Sequence, residues 1–265
     1  LGLDDYDNSS LEINLEGTNN DTYLKTDDIK TSQNYDSSSL NTFVVFNANK
    51  EKLDASIEFQ VYENLSAKKE HDRYEYIYPN FSISKTIDTA FNEYGSFYYN
   101  VAGFQKKYNT NVSETSFANN LNFLSKPTFT KSGFKNNFNL LFKNTNVDGK
   151  RSAKYKDDLS SDLYTSLILN SSLPLKKETK SYESKLIPKI SLRLSPTRSE
   201  DLTNEDRRID IVNVFSQNRL GLSESLEGGQ SLTVGNEYNL KKKNGSDILN
   251  INIAQIYRDI NEKKL

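Results

Sequence analysis

The side chains of this chain that could take part in chemistry are few and far apart. His71 is the only histidine, and a serine hydrolase would have to use it as its base, but its charged neighbours indicate a solvated loop. Asn204-Glu205-Asp206 offers oxygen ligands for a divalent cation, although a charged loop tip explains it better. Gly228-Gly229 lacks the strand-to-helix setting of a phosphate loop, and Lys241 to Lys243 fit a solvated strand end better than a lipid-phosphate site. None of these groups therefore predicts a catalytic or a metal site.

The composition favours long strands with one polar and one apolar face. Only 35% of the 265 residues are hydrophobic and the mean hydropathy is -0.74, yet 16 Tyr and 14 Phe are too many for a disordered chain. This combination is typical of a transmembrane β-barrel. A net charge of -2 provides no basic field for nucleic acid, and the lack of cysteine excludes disulfides and thiolate metal sites. No apolar run reaches 18 residues, so a transmembrane helix is excluded.

Residues 53–62 show the clearest strand pattern. Alternate positions are apolar, and the positions between them are polar. We expect the apolar set to face lipid and the polar set to face a wet lumen, since about 9 to 11 residues of tilted strand span a bilayer. An edge strand of a soluble sandwich is the alternative for this stretch alone. The lipid-facing set is Leu53, Ala55, Ile57, Phe59 and Val61, and the lumen-facing set is Asp54, Ser56, Glu58 and Gln60.

The same alternation recurs along the chain. Residues 11–15, the turn-rich 17–20 and residues 21–25 predict a hairpin. Residues 74–84 alternate in one phase up to Tyr78 and in the other after Pro79, which predicts a bulge or a locally weakened pairing because proline cannot donate to a ladder. Further strands are expected at 97–101, at two places within 117–142 split by turns at 126–127 and 131–133, and at 163–169, 186–194, 232–238 and 249–253, with a loop at 144–158.

Together these patterns predict an all-β fold, an antiparallel meander of roughly a dozen long strands forming part of a large transmembrane β-barrel. Short turns such as 50–52 alternate with long connections such as 195–229. This alternation is typical of a barrel with one trimmed rim and one elaborated rim.

Residues 186–235 contain two strand patterns separated by a polar excursion of roughly thirty residues, whereas most connections take about four to six. Across residues 188–229 the chain carries, in this order, Pro188, Asn204, Glu205, Asp206, Asp210, Asn213, Phe215, Ser216, Asn218, Arg219, Gly221, Glu227, Gly228 and Gly229. This residue order resembles the barrel domain of the LPS-assembly family LptD, particularly its alphaproteobacterial members. Weaker matches are Asp21 to Lys25 and Gln255 to Tyr257, and the family's Asp-Arg pair is missing from 221–225.

The resemblance implies a role without enzyme activity or a cofactor, and it implies partners. Residues 1–265 would be a partial LptD-type barrel domain, an internal piece without the jelly-roll domain, signal peptide or lateral-gate strands. It would belong to the outer-membrane translocon that inserts lipopolysaccharide (LPS) into the outer leaflet, with an LptE-type lipoprotein in the lumen and an LptA-type periplasmic bridge. The excursion would then line the lumen or the LPS path. A passive outer-membrane porin shares the strand periodicity and is the alternative.

Overall fold

The structure, a computed structural model, describes residues 5–26, 38–68, 71–197 and 208–259. Among these residues, no helix has the length and apolarity needed to cross a membrane. The elements are β1 (Asn8–Asn14), α1 (Tyr23–Thr26), β2 (Ser39–Lys50), β3 (Leu53–Asn64), β4 (Tyr74–Ile87), β5 (Gly95–Tyr108), β6 (Ser113–Ser125), β7 (Thr128–Phe129), β8 (Lys135–Lys150), β9 (Ser160–Ser172), β10 (Leu175–Glu178), β11 (Tyr182–Ser195), β12 (Gly229–Lys242) and β13 (Asp247–Arg258).

The thirteen strands form one sheet with an antiparallel meander topology. Its order follows the chain as β1-β2-β3-β4-β5-β6-β8-β9-β11-β12-β13, while the short strands β7 and β10 pair beside this path with β8 and β11. In the described residues this order does not close on itself. The predicted all-β meander of roughly a dozen strands is confirmed.

The described residues group into two compact units. Unit 1 comprises 1–87, 98–120 and 144–162, and unit 2 comprises 88–97, 121–143 and 163–265. In unit 1, β3 separates its side chains as the alternation requires. Ile57 lies between Phe46 of β2 and Phe81 of β4, whereas Glu58 lies between Val45 and Asn80. The two sets named for β3 therefore occupy opposite faces, which we call the apolar and polar faces of unit 1.

The bulge predicted at Pro79 is present. The β3–β4 register pairs Glu58 with Asn80 but Gln60 with Ile77, so Phe59 faces two residues of β4 instead of one. The extra residue keeps the tyrosines before the bulge and Phe81 after it on the same apolar face. Tyr76 stacks between Tyr74 and Tyr78 at centroid distances of 6.1 and 6.0 Å, and the Tyr78 ring lies 6.4 Å from that of Phe59.

The hairpin predicted for residues 11–25 is wrong. β1 pairs with β2, and residues 23–26 form the single turn α1. The Asn20 side chain accepts the N–H of Thr22 at 3.0 Å and so caps this turn. Leu24 is then buried with Leu40 and Leu65.

The turn before β4 is fixed by a buried guanidinium group. Arg73, 5% exposed, donates to Asp21 Oδ2 at 2.8 Å and to Glu63 Oε1 at 2.7 Å. The segment between β1 and β2 is thereby tied to the end of β3. Sequence alternation gave no sign of this long-range pairing.

The loop predicted at 144–158 is also partly wrong, because β8 continues to Lys150. Its polar residues are integrated into the sheet: Thr145 is only 2% exposed, and Asn144 Nδ2 donates to the Asp162 carbonyl at 3.2 Å. The alternation of polar and apolar residues did not predict β2, because residues 43–46 of this strand are apolar on both faces. In the sheet, Phe43 lies opposite Gln60 and Val44 lies opposite Phe59.

Unit 2 has the same two-faced construction. Leu192 of β11 pairs with Leu169 of β9 and Leu232 of β12 on an apolar face. The intervening Arg193 pairs with Ser231 on the polar face. The apolar face extends to the aromatic series Phe97, Phe123 and Phe138, whose successive ring centroids are 4.7 and 5.5 Å apart.

Candidate functional site

Residues 208–229, which we call the motif segment, pack onto the polar face of unit 2. Val214, Leu222 and Leu226 of this segment are buried, and Leu226 is only 1% exposed. Leu226 forms a core cluster with Leu141 of β8 and Tyr164 of β9. The segment is therefore a packed element of the fold, in spite of its polar sequence.

Asp210 and Asn213 fold the start of the motif segment. The Asp210 carboxylate accepts the N–H groups of Val212 at 2.8 Å and Asn213 at 3.0 Å. The Asn213 side chain in return accepts the Asp210 N–H at 2.9 Å and donates to the Arg208 carbonyl at 3.2 Å. This reciprocal exchange satisfies backbone groups at the beginning of a turn, as a capping box does. The Asp-x-x-Asn part of the motif thus has a local structural role.

Asn218 and Gly221 shape the second turn. The Asn218 side chain donates to the Leu222 carbonyl at 2.7 Å and accepts the Leu222 N–H at 2.9 Å. Gly221 has φ of +65°, a left-handed conformation that favours glycine. The turn then presents the carbonyls of Leu222 and Ser225 to the buried ammonium of Lys143, at 3.0 and 2.9 Å.

Phe215 explains the glycine in the middle of β12. A Cβ placed on Gly235 would lie 2.8 Å from the Phe215 ring and 2.8 Å from the Ile253 carbonyl oxygen. The missing side chain leaves the space that the ring occupies. Lys189 Nζ lies 5.8 Å from the centre of the same ring, within range of a cation–π interaction.

One carboxylate at the end of the motif segment meets three guanidinium groups of the described chain. Glu227 accepts from Arg219 through both carboxylate oxygens, with an Nε–Oε2 distance of 2.6 Å. Arg258 of β13 lies 3.1 Å from Glu227 Oε1, and Arg193 of β11 lies 4.0 Å from Oε2. We call these four residues the arginine cluster. Arg219 and Glu227 are each 2% exposed, so their charges are removed from solvent.

Groups of β12 and of the motif segment itself add hydrogen bonds to the arginine cluster, although Arg193 Nε is buried without a hydrogen-bond partner among the described residues. Arg219 donates to Ser231 Oγ at 3.0 Å and to Thr233 Oγ1 at 3.3 Å, both on β12. Arg193 donates to the backbone carbonyls of Gln217 and Glu227. Buried charges are tolerable when they are paired and hydrogen-bonded in this way. The cluster therefore joins the motif segment to β11, β12 and β13.

The same arrangement sets the ionisation of Glu227. Burial alone would raise the pKa of its carboxyl, but hydrogen bonding and charge from Arg219, with the charges of Arg193 and Arg258, hold the pKa below its ordinary value. Because the pKa is lower in the folded protein than in the unfolded chain, ionised Glu227 stabilises the fold above the ordinary glutamate range. That stabilisation is lost as the pH falls through the folded-state pKa.

We expect protease protection of the motif segment to stay constant from pH 7 to about pH 5 and to decline below about pH 4, as Glu227 takes up a proton. Limited proteolysis of the full-length protein across this range measures the effect. The Glu227→Gln variant has no carboxyl to titrate at this position and should lose this part of the acid dependence. A pH profile of that variant that parallels the wild type would show that other groups control it.

The remaining residues named from the sequence lie in several places. Asn204, Glu205 and Asp206 lie outside the described residues. Gly228 is buried, and Gly229 begins β12 with φ of +74° while its N–H donates to the Thr197 carbonyl at 3.3 Å. His71 is exposed in the turn between β3 and β4. His71 belongs to unit 1 and the motif segment belongs to unit 2.

Sequence reasoning missed Lys143, Arg193 and Arg258. Each lies on a different strand, and no spacing in the sequence connects it to Glu227 or to the second turn of the motif segment. The sequence could have predicted the face of the sheet on which Arg193 lies. Arg193 stands between Leu192 and Leu194 in a strand, so its side chain must lie on the face opposite to theirs, which is the polar face.

The geometry of this site is that of a docked segment. Its buried charged groups are directed at one another and at backbone carbonyls, and its turns are closed by their own side chains. Arg219 presents almost no surface, so it cannot contact a passing sugar or phosphate without leaving Glu227. The arrangement holds a polar element against one face of a sheet whose other face is apolar.

Comparison with curated proteins finds no match to this chain. Comparison with protein families finds the model described as "LptD: LPS transport system D", which matches residues 4–265. The match includes the whole motif segment and all thirteen strands. The chain therefore belongs to the LptD family of lipopolysaccharide transport proteins.

Proposed function

We propose that this chain is part of an outer-membrane β-barrel that receives LPS and inserts it into the outer leaflet. In this proposal residues 1–265 form a partial barrel domain, with the apolar faces of both units toward lipid and the polar faces toward the lumen. The observation that carries it is the motif segment, which packs on the polar face of unit 2 while Leu169, Leu192 and Leu232 stay exposed on the other face. Extended apolar surface of this kind marks contact with a partner or a membrane.

The mechanism needs no covalent chemistry. A polar lumen accommodates the sugar part of LPS while its acyl chains leave sideways into the bilayer. The motif segment narrows that lumen on the side of unit 2, held there by the arginine cluster. Of the motif residues, those with exposed polar groups, such as Asp210 and Asn218, are available to line the path, whereas Arg219 and Glu227 hold the segment in place.

The partners follow from the same proposal. An LptE-type lipoprotein would occupy the lumen, and an LptA-type periplasmic bridge would deliver LPS through a jelly-roll domain. Co-purification of each partner with the full-length protein tests these assignments. If either protein fails to co-purify at native expression levels, its assignment as a partner is wrong.

Photo-crosslinking from two neighbouring positions tests the transport proposal. Ser56 lies on the polar face of β3, opposite Asn47 and Ser82, and Ala55 lies on the apolar face, opposite Ala48 and Ile83. With a benzophenone amino acid at either site in living cells, we expect LPS adducts from position 56 and phospholipid adducts from position 55. The LPS adduct should disappear when delivery from the periplasm is blocked. A passive porin would give no delivery-dependent LPS adduct at position 56.

A further inference from the structure

The apolar face of unit 2 contains a groove that the motif segment does not touch. Its volume is about 600 Å³, and it is lined by Phe138, Leu169, Ile190, Leu192 and Leu232. Each of these side chains is between 36% and 44% exposed, although together they form one apolar surface across β8, β9, β11 and β12. We call it the outer groove.

The outer groove lies where regular pairing in the sheet is interrupted. The Phe138 N–H donates to Ser125 Oγ at 2.8 Å, so a side chain takes the place of a strand carbonyl at the end of β6. β11 pairs with β9 only from Lys189 onward and with β10 only up to Leu186. Pro188 lies between these two stretches and has no N–H to donate. The Leu173 N–H still donates to the Pro188 carbonyl at 3.0 Å, so the regular strand pairing is interrupted there although one backbone hydrogen bond remains.

Small side chains create the depth of the outer groove. Ser171 lies directly opposite Ile190 in the β9–β11 register and lines the groove beside the larger Leu169. A serine among leucine, isoleucine and phenylalanine leaves a depression in this surface, which a flexible hydrocarbon chain can follow.

The residues that line the outer groove include Lys126 and Tyr94. The Lys126 N–H donates to the Tyr94 carbonyl at 2.7 Å. Both side chains are exposed, Tyr94 to 68%. Lysine and tyrosine at the end of an apolar surface are typical of the level of lipid headgroups, where the ammonium meets a phosphate and the ring lies at the boundary.

We propose that the outer groove binds one glycerophospholipid molecule, with an acyl chain along Phe138, Ile190 and Leu232 and its phosphate at Lys126. The inference rests on the proposed membrane orientation, in which the apolar face of unit 2 faces lipid. The inference goes beyond the proposed function because it assigns one bound lipid molecule per protein to one place on the apolar face. Without such a site, this face would contact membrane lipid uniformly.

Native mass spectrometry of the full-length protein tests this proposal, after extraction from nanodiscs of phosphatidylethanolamine and phosphatidylglycerol into mild detergent. The wild type should retain one phospholipid per protein. Lys126→Glu removes the cation and Ser171→Trp fills the depression, so both variants should lose the retained lipid. The matched controls are Lys131→Glu in the same hairpin connection and Leu163→Trp at an exposed position of the same parity on β9, and both should retain it.

Several outcomes overturn the proposal. Equal retention by groove variants and controls would identify the lipid as general annular lipid, and retention of LPS in place of phospholipid would contradict the assigned class. If all proteins enter nanodiscs and the groove variants do not differ from their controls, the proposed lipid site is wrong, whereas the proposed membrane orientation is not contradicted. If no protein enters nanodiscs, the proposed function fails together with the site.

Discussion

Lysine in place of Ile57 is expected to destabilise the membrane-embedded protein by about 2 to 4 kcal/mol, whereas lysine in place of Glu58 should have little effect. Ile57 lies near the middle of the twelve-residue β3, between Phe46 and Phe81 on the apolar face. An ammonium group there would lie in hydrocarbon near the bilayer midplane. Glu58 points to the other face, where Asn80 donates to its carboxylate at 3.1 Å.

Urea unfolding of the full-length protein in phospholipid vesicles measures the difference between the two variants. The pair is well matched because the substitutions introduce the same side chain at adjacent positions of one strand. Equal losses of stability would show that the two faces of β3 do not separate lipid from lumen. A larger loss for Glu58→Lys would reverse the orientation proposed for unit 1.

Removing the charge of Glu227 should have the second large effect. Glu227→Gln keeps the shape of the side chain but leaves Arg193, Arg219 and Arg258 without their shared carboxylate in a buried site. Breaking a buried ion pair by removing one partner typically costs about 3 to 5 kcal/mol, because the remaining charge stays desolvated. We expect the motif segment to detach from the sheet before the strands separate.

Hydrogen exchange of residues 208–229 in the full-length protein measures this detachment. Glu237→Gln is the matched control, since Glu237 pairs with Lys189 across β11 and β12 but both side chains are about one-third exposed. That change should cost no more than about 1 kcal/mol. Unchanged exchange in the Glu227→Gln variant would mean that Leu226, Phe215 and the turn hydrogen bonds hold the segment without the cluster.

A double variant separates charge from packing. Arg219→Met combined with Glu227→Leu replaces the directly paired charges with apolar groups of similar length and leaves the guanidinium groups of Arg193 and Arg258 in place. Replacement of a buried ion pair by well-packed apolar residues is often neutral or stabilising, so the double variant should be more stable than Glu227→Gln alone. The same exchange measurement provides the comparison.

Sequence alternation predicted the strands that have one wet face and one apolar face. The phase change at Pro79 is the best example, because a single proline between two alternating runs was enough to locate a bulge. Alternation failed where both faces are apolar, as in residues 43–46 of β2, and where both are polar, as at the end of β8. In these strands the conformation is determined by the neighbouring strands of the sheet. Because those neighbours are distant in the sequence, a local pattern of residues cannot predict their effect.

The order of its residues singled out the motif segment in the sequence, but it did not predict how the segment packs against the sheet. Asp210, Asn213 and Asn218 form hydrogen bonds with backbone groups two to five residues away, and a local sequence pattern can predict contacts of this kind. Lys143 contacts the segment over a long stretch of chain, with separations of 79 and 82 residues. Only the sheet topology brings these groups together.

The arginine cluster also constrains the order in which this part of the protein can assemble. Its guanidinium groups come from β11, which precedes the motif segment, from the segment itself and from β13, which follows it. Arg258 lies at the far end of β13 and reaches Glu227 only when β13 is paired in register with β12, opposite Ser231. The buried carboxylate therefore acquires its full set of partners last, after about 30 further residues have been added to the sheet. Completion of the cluster thus depends on strand pairing that lies beyond the segment in the chain.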